Sequence, residues 1–367
     1  MHLYVHVPFC ARRCSYCDFA IAVRRAVPSD AYVDAVLAEW TARLADAPWQ
    51  DFPRLDTIYF GGGTPSRLAP EAIGRLIDGV STRRSLAPGA EITLETNPDD
   101  VTPAAAAAWR AAGVNRISLG VQSFDPAVLA WMHRTHTADQ VPAAVEILRA
   151  AGIDNLSLDL IFALPASLGR RWMRDLNLAL ALAPDHLSLY GLTVEPRTPL
   201  GRWAARGEPA AGDEDAYARE FLATHGRLAA EGWDHYEVSN ASRPGRRAVH
   251  NAAYWRRAAF LGLGPSAHSG AGVERWWNVR EWEAYRAAAP DRRVAGQEEL
   301  DGTAVRLEEL YLGLRTREGL PLDRVHPSDV EAWTAAGWAI RDGGRVRLTA
   351  EGWLRLDGLV GAARDLA

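Results

Sequence analysis

The chain has 367 residues, 48% hydrophobic and 24% charged, the balance of a soluble globular protein with room for one large domain and a smaller one. A net charge of −5, with arginine filling all 41 of the Lys+Arg positions, argues against a surface built to coat nucleic acid. No apolar run reaches the roughly 18 residues that span a bilayer, and an N-terminus with His2 and then cysteines from Cys10 does not read as a secretory leader. No integral membrane segment and a cytoplasmic location are therefore expected.

An apolar strand, Leu3 to Val7, opens the chain and runs straight into Cys10, Cys14 and Cys17, spaced C-x3-C-x2-C. Ser29 reads as the N-cap of a helix whose apolar stripe is Tyr32, Val33, Val36, Leu37 and Trp40. Thr57–Phe60 is a short strand ending in GGGTPS, followed by a helix from Pro70 to about Val80. Glu91–Thr96 is a strand ending in ETNPDD, and Thr102 caps an alanine-rich helix that stops at Gly113. Arg116–Val121 is a strand ending in GVQSF, with helices over Asp125–His133 and Asp139–Ala151. Asn155–Phe162 is a strand, Gly169–Ala183 a helix and His186–Val194 a sixth strand.

Six strands alternating with helices predict a parallel sheet closing toward a barrel, here a partial (β/α)6 barrel over residues 1–200. TIYF, RISLGV and LSLDLIF read as strands buried on both faces. The unusual residues gather at strand C-termini, where barrels of this kind place their chemistry. Pro199–Gly212 reads as a linker or loop, and 201–300 as an irregular α+β extension containing WDHYEVSN, HNAAYW and FLGLGPSAHSG. From 301 to 367, helices at Thr303–Leu314 and Ser328–Ala336, a hairpin turning at Asp342–Gly343–Gly344 and a last helix, Ala350–Val360, resemble a small winged-helix-like module without a basic stripe. Of the 14 tryptophans, Trp40, Trp109, Trp131 and Trp172 sit at helical core positions, whereas Trp255 and the pair Trp276–Trp277 have no such ready explanation.

The three cysteines are the only ones in the chain. Thiolates this close together select zinc, copper(I) or an iron–sulfur cluster. A structural zinc site is one reading, with His6 completing a Cys3His set. A disulfide framework is disfavoured by the odd count and the missing leader. The third reading is a 4Fe–4S cubane, which normally takes four cysteines; held by three, it keeps one iron open for an exchangeable ligand.

C-x3-C-x2-C after a strand resembles the radical S-adenosylmethionine (SAM) superfamily. The resemblance implies a partial barrel, a 4Fe–4S cluster on Cys10, Cys14 and Cys17, and SAM chelated at the open iron and cleaved to a 5′-deoxyadenosyl radical. It further implies SAM contacts at Tyr4, at Gly62, Gly63 and Thr64 of GGGTP, at Glu95, and at Gln122, Arg134 and Asp159. A zwitterionic sulfonium needs a carboxylate for its hydroxyls and amine and an arginine for its carboxylate. Taken singly, Glu95 also reads as a helix-end charge, Asp159 as a buried ion-pair partner and Gln122 as a cap.

YVHVPFC, GGGTPS, SLGVQSF, DLIFALP, YEVSN and GLGPSAHS together resemble the subfamily of oxygen-independent coproporphyrinogen III oxidases and their heme-chaperone relatives. The oxidases carry a fourth cysteine where this chain has Phe19, and a long segment before the cluster. HNAAYW matches the HNxxYW motif of the chaperones, which implies heme as cargo, His250 as its ligand, an acceptor protein and an electron donor for the cluster. A buried structural histidine is the plainer reading of His250, and His268 is a second candidate ligand that also fits a role toward SAM. Arg243, Arg246, Arg247, Arg256 and Arg257 flank the motif and suit heme propionates or a solvated basic face equally. An enzyme acting on a tetrapyrrole, by decarboxylation or by ring opening, is the alternative to a carrier.

Overall fold

The structure, a computed structural model, describes residues 1–46 and 48–364. The expected βα repeats are present. Strands β1 (His2–Val7), β2 (Arg54–Gly62), β3 (Ser85–Thr96), β4 (Arg116–Gln122), β5 (Asn155–Phe162) and β6 (His186–Gly191) lie side by side and parallel. Helices α1 (Ser29–Arg43), α2 (Pro70–Ser81), α3 (Pro103–Ala111), α4 (Gln140–Ala150) and α5 (Trp172–Ala181) connect them. Strand β6 does not pair back to β1, so the barrel stays open.

Residues 201–300 extend both edges of this same sheet. After helix α6 (Glu214–Ala230), β7 (Asp234–Glu237) and β8 (Asn240–Ser242) add antiparallel strands beside β6. Past helix α7 (Val249–Trp255), β9 (Phe260–Leu263) pairs in parallel with β1. Strands β10 (His268–Ala271), β11 (Glu274–Asn278) and β12 (Val294–Glu299) then continue outward in antiparallel order. Beyond them, α8 (Gly302–Leu314) and α9 (Pro327–Ala335) accompany a three-stranded sheet of β13 (Leu320–Pro321), β14 (Ala339–Asp342) and β15 (Arg345–Leu348). Gly343 and Gly344 both have positive φ, as a two-residue hairpin turn requires.

The barrel strands are apolar on one face only. Leu3, Val5, Val7, Ile58, Phe60, Leu94, Ile117, Leu119, Leu158, Leu160, Leu187 and Leu189 pack outward with Trp40 of α1, Ile73 and Leu76 of α2 and Trp109 of α3. The alternate positions are polar and bond to one another across strands: His2 to Thr57, Tyr59 to Glu95, Ser118 to Asp159, and Ser157 to His186. These strands are buried on both faces, as expected, but the inner face is largely polar. In LSLDLIF, Ser157 and Asp159 mark the inward positions, while Ile161 keeps an apolar side chain on that same face.

Other expectations also shift. The α1 N-cap is Pro28; Ser29 lies inside the helix and its hydroxyl accepts the Ala69 N–H at 3.0 Å. The stretch read as a loop after 198 contains a helix, Pro199–Ala205, capped by the Thr198 hydroxyl. The final helix is broken into Ala350–Trp353 and Leu356–Gly361. Trp40, Trp109 and Trp172 are core residues as expected, and half-buried Trp131 packs on Trp203. Trp255 carries the Arg315 guanidinium on its face, Trp276 lies edge-on to Trp49, and Trp277 stacks on His268.

One buried carboxylate fixes the β9–β10 turn to α1. Glu39 accepts from Gly264 N, Asn278 Nδ2 and the Tyr285 hydroxyl. Burial pushes its carboxyl up from the usual range while these donors pull it down. Glu39→Ala strands all three donors and should cost on the order of 3 kcal/mol in urea unfolding. Glu39→Gln, which keeps an acceptor, should cost clearly less.

Candidate functional site

The site begins where β1 and β2 end. Their register runs from His2 opposite Thr57 to Val7 opposite Gly62, and the next amide, Gly63 N, donates to Val7 O at 2.8 Å. A Cβ on Gly63 would sit 2.8 Å from the Pro8 carbonyl, and one on Gly62, at φ 111°, would fall 2.6 Å from the His6 ring. Only glycine lets the two backbones meet this closely. The chain therefore leaves β1 directly beside GGGTP, and the cysteine loop starts there. Two-residue strands, Phe9–Cys10 and Ala22–Val23, pair in parallel and clasp the loop at its base.

Cys10, Cys14 and Cys17 are free thiols lining one cavity of 470 Å³. Thr64 Oγ1 donates to Cys10 Sγ at 3.4 Å and Arg134 Nη1 to Cys14 Sγ at 3.6 Å. Burial pushes the Cys17 thiol up to about 12 and raises Cys10, so a metal must displace these protons when it binds. His6 does not join them. Its ring bonds the Tyr4 hydroxyl and the Ala20 carbonyl instead. Among the described residues no three His, Cys, Asp or Glu side chains converge on a single ion. Three soft donors spread around a cavity suit a multi-iron cluster better than a mononuclear zinc.

Gly62, Gly63, Thr64, Glu95, Gln122, Arg134 and Asp159 line the same cavity. Glu95 accepts the Tyr59 hydroxyl at 2.8 Å and Gly62 N at 3.1 Å. Asp159 accepts from Ser118 and Ser157, and burial pushes its carboxyl up. Gln122 stands at φ 66°, past a register shift in the β4–β5 pairing, which turns it off the strand line. Arg134 follows a short helix, Pro126–Trp131, and a left-handed His133 that swings the chain back. Its Nη2 donates to Asn97 Oδ1 at 2.6 Å and Gly120 O at 2.8 Å, while Nε is buried without a partner among the described residues. Asn97 was not among the expected site residues, although its place two residues after Glu95, at the same strand end, was the available signal.

Two expected residues lie outside this cavity. Tyr4 faces an adjoining one of 420 Å³, across Gly62. His250 is 1% exposed, its ring packed beside Tyr4 and Tyr59 in the lumen. Nδ1 bonds Thr57 Oγ1 at 2.7 Å, Nε2 bonds the Tyr254 hydroxyl at 2.8 Å, and the ring stacks on Tyr59. Thr57 is five residues before Gly62, roughly 16 Å along the strand. The Glu91 carboxylate accepts Val249 N and His250 N, seating α7 as a plug. Iron ligation by His250 would require both of its ring bonds to break. Four of the five flanking arginines are engaged as well: Arg246 with Asp185, Arg247 with Asp234 and Glu318, Arg257 with Glu308 and Glu309, and Arg243 on the Trp233 ring; Arg256 has no such partner among the described residues.

An open parallel barrel with three cysteines after its first strand and polar groups at the strand ends defines a radical SAM protein, and the radical SAM superfamily model matches residues 4–173. The heme chaperone HemW of Mycobacterium tuberculosis is 40% identical over 366 residues, covering 98% of this chain and 93% of that protein. The HemW of Lactococcus lactis is 35% identical over 321 residues, 88% and 83% of the two chains. The chain belongs to the HemW family. Its fold matches that of coproporphyrinogen III oxidase (HemN) from Escherichia coli, with a TM-score of 0.81 at 22% identity over 98% of this chain and 88% of that one.

Burial pushes the Glu95 carboxyl up to about 7, against the pull of the Tyr59 hydrogen bond. The folded protein therefore holds a proton that the unfolded chain has released, between the ordinary value of 4.5 and about 7. Stability falls as pH rises through that window, by up to about 3 kcal/mol from this group. Glu95→Gln should remove that share of the slope when urea unfolding is compared at about pH 5 and about pH 8.

Proposed function

We propose that the chain is a heme chaperone that holds a 4Fe–4S cluster and SAM and passes intact heme to an acceptor protein. The observation that carries the reading is the near full-length identity to a curated heme chaperone. Three free thiols at the mouth of a barrel whose lumen is polar support it. In this reading Cys10, Cys14 and Cys17 hold the cluster, which supplies one-electron chemistry to a SAM bound beside it.

The chain's own residues do the rest. Gly62, Gly63 and Thr64 present backbone to the ligand without a bulky side chain in the way. Glu95 and Asp159 are acceptors for its amine and hydroxyls. Arg134, already anchored by Asn97 and Gly120, has its Nε–H left for a carboxylate. Gln122 supplies an amide at the same wall. Tyr4 meets a ligand only where that ligand passes Gly62. His250 serves as the plug of the barrel, and heme ligation falls elsewhere.

An electron donor for the cluster belongs to the same proposal, as does a cytoplasmic location, since thiols that must stay reduced suit that compartment. Residues 1–200 form the cofactor-binding part, 201–300 the plug and edge strands, and 301–367 a separate module. No helix among the described residues is long and apolar enough to cross a membrane.

Anaerobic reconstitution should give about four irons per chain, lost on replacing any one of the three cysteines by alanine. Glu95→Ala should retain iron and weaken SAM binding by roughly tenfold or more. Heme should bind stoichiometrically and be recovered unchanged; a decarboxylated or ring-opened tetrapyrrole would replace the carrier reading with an enzyme.

A further inference from the structure

Of the ten histidines, eight have a ring nitrogen hydrogen-bonded within the protein. The two without such a partner among the described residues are His133, in the cysteine-lined cavity, and His268. His268 is exposed at the first position of β10 and lines the adjoining 420 Å³ cavity. Its imidazole stacks on Trp277 with centroids 5.9 Å apart. Burial on one side pushes its pKa down, which keeps the ring neutral at neutral pH, the form that ligates iron.

The position of His268 is held by backbone. Gly264, at φ 96°, passes so close to β1 that a Cβ there would lie 2.5 Å from His6 O, and Glu39 pins its amide from the other side. The turn that carries His268 is thereby fixed against both α1 and β1.

The rest of this cavity has a matching chemistry. Tyr254 and Phe260, perpendicular to each other with centroids 4.7 Å apart, supply aromatic surface. Phe19, on the cysteine loop, projects into it at 57% exposure, a large apolar side chain that water would not select. Two arginines, Arg197 and Arg280, also line it. Arg197 has no hydrogen-bond or ion-pair partner among the described residues, and Arg280 makes only a long 3.4 Å bond to Asp18 O. The arginines around HNAAYW, by contrast, are largely spent on internal carboxylates and an indole ring.

We propose that this cleft is the heme site, with His268 as an axial ligand, Phe19, Tyr254 and Phe260 against the porphyrin, and Arg197 and Arg280 holding the propionates. The proposal rests on the heme-chaperone reading. An open cleft needs to bury only one edge of the macrocycle, leaving the other for an acceptor protein. Phe19, Asp18 and Gly62 also line the cluster cavity, so the cargo would lie against the cofactor loop.

The test is an anaerobic heme titration followed by the Soret band, on reconstituted wild type, His268→Ala, and the double variant Arg197→Ala/Arg280→Ala. His268→Ala should lose roughly tenfold or more in heme affinity and shift the Soret band, added imidazole should restore the band, and iron content and SAM affinity should stay at wild-type levels. The arginine variant should bind several-fold more weakly with the band unmoved. A His268→Ala protein with wild-type heme affinity and spectrum overturns the site while leaving the chaperone reading intact. Loss of SAM binding in place of heme binding overturns it too and assigns His268 to the cofactor. A wild type that binds no heme removes the chaperone reading itself.

Discussion

The site depends on the close backbone approach between the ends of β1 and β2. Three successive glycines make it possible, each facing a different obstacle: Gly61 the Tyr59, Glu95 and Tyr4 side chains, Gly62 the His6 ring, Gly63 the Pro8 backbone. Any side chain larger than hydrogen at these points must push either the cysteine loop or the inner face of β3 away. The Gly62 amide, freed from the ladder at the strand end, then becomes the donor that holds Glu95. Loop, ligand wall and acidic residue are thus set by one local packing condition, not by three separate ones.

A polar lumen is an expensive interior for a barrel. Arg116, Asp159, Glu95, His186 and His250 are all removed from water, and burial alone pushes each away from its charged form. The compensation is a cross-strand network: serines onto Asp159, Tyr59 onto Glu95, Ser157 and Tyr236 onto His186. At the base, HNAAYW closes the lumen. Its helix start is held by Glu91, and its histidine bridges Thr57 to Tyr254. A histidine bridging two hydroxyls, with one ring nitrogen donating and the other accepting, has few substitutes among the side chains.

The range of each interaction decides whether the sequence shows it. Parallel strands and their capped helices have local signals, and Thr102, for example, caps α3 as its sequence position suggests. The residues gathered at strand ends were likewise legible, because topology alone sends the C-terminal ends of parallel strands to one mouth. The edges were not. Strands β7 to β10 are three or four residues long, too short for any periodicity, and are ordered by pairing with a sheet whose strands lie far away in the chain. The surroundings of His250 are hidden for the same reason. Its partners Thr57 and Glu91 are more than 150 residues distant, so its burial left no trace in the residues around it. Arg134 and Asn97 show the intermediate case, with each strand-end signal legible and their mutual bond not.

The two cavities at the mouth share the cysteine loop and Gly62 as a wall. Ala11, Arg12 and Arg13 are exposed, and the loop's middle is held to the barrel chiefly through Ser15, whose N–H donates to Met132 O and whose carbonyl accepts Leu200 N. Thiols whose protons are favoured by burial bind metal only by giving those protons up, so assembling a cluster reorganises charge within this loop. Asp18 and Phe19 follow Cys17 directly and face both cavities. Whatever fixes the third cysteine therefore also fixes an aromatic side chain and a carboxylate on the neighbouring wall.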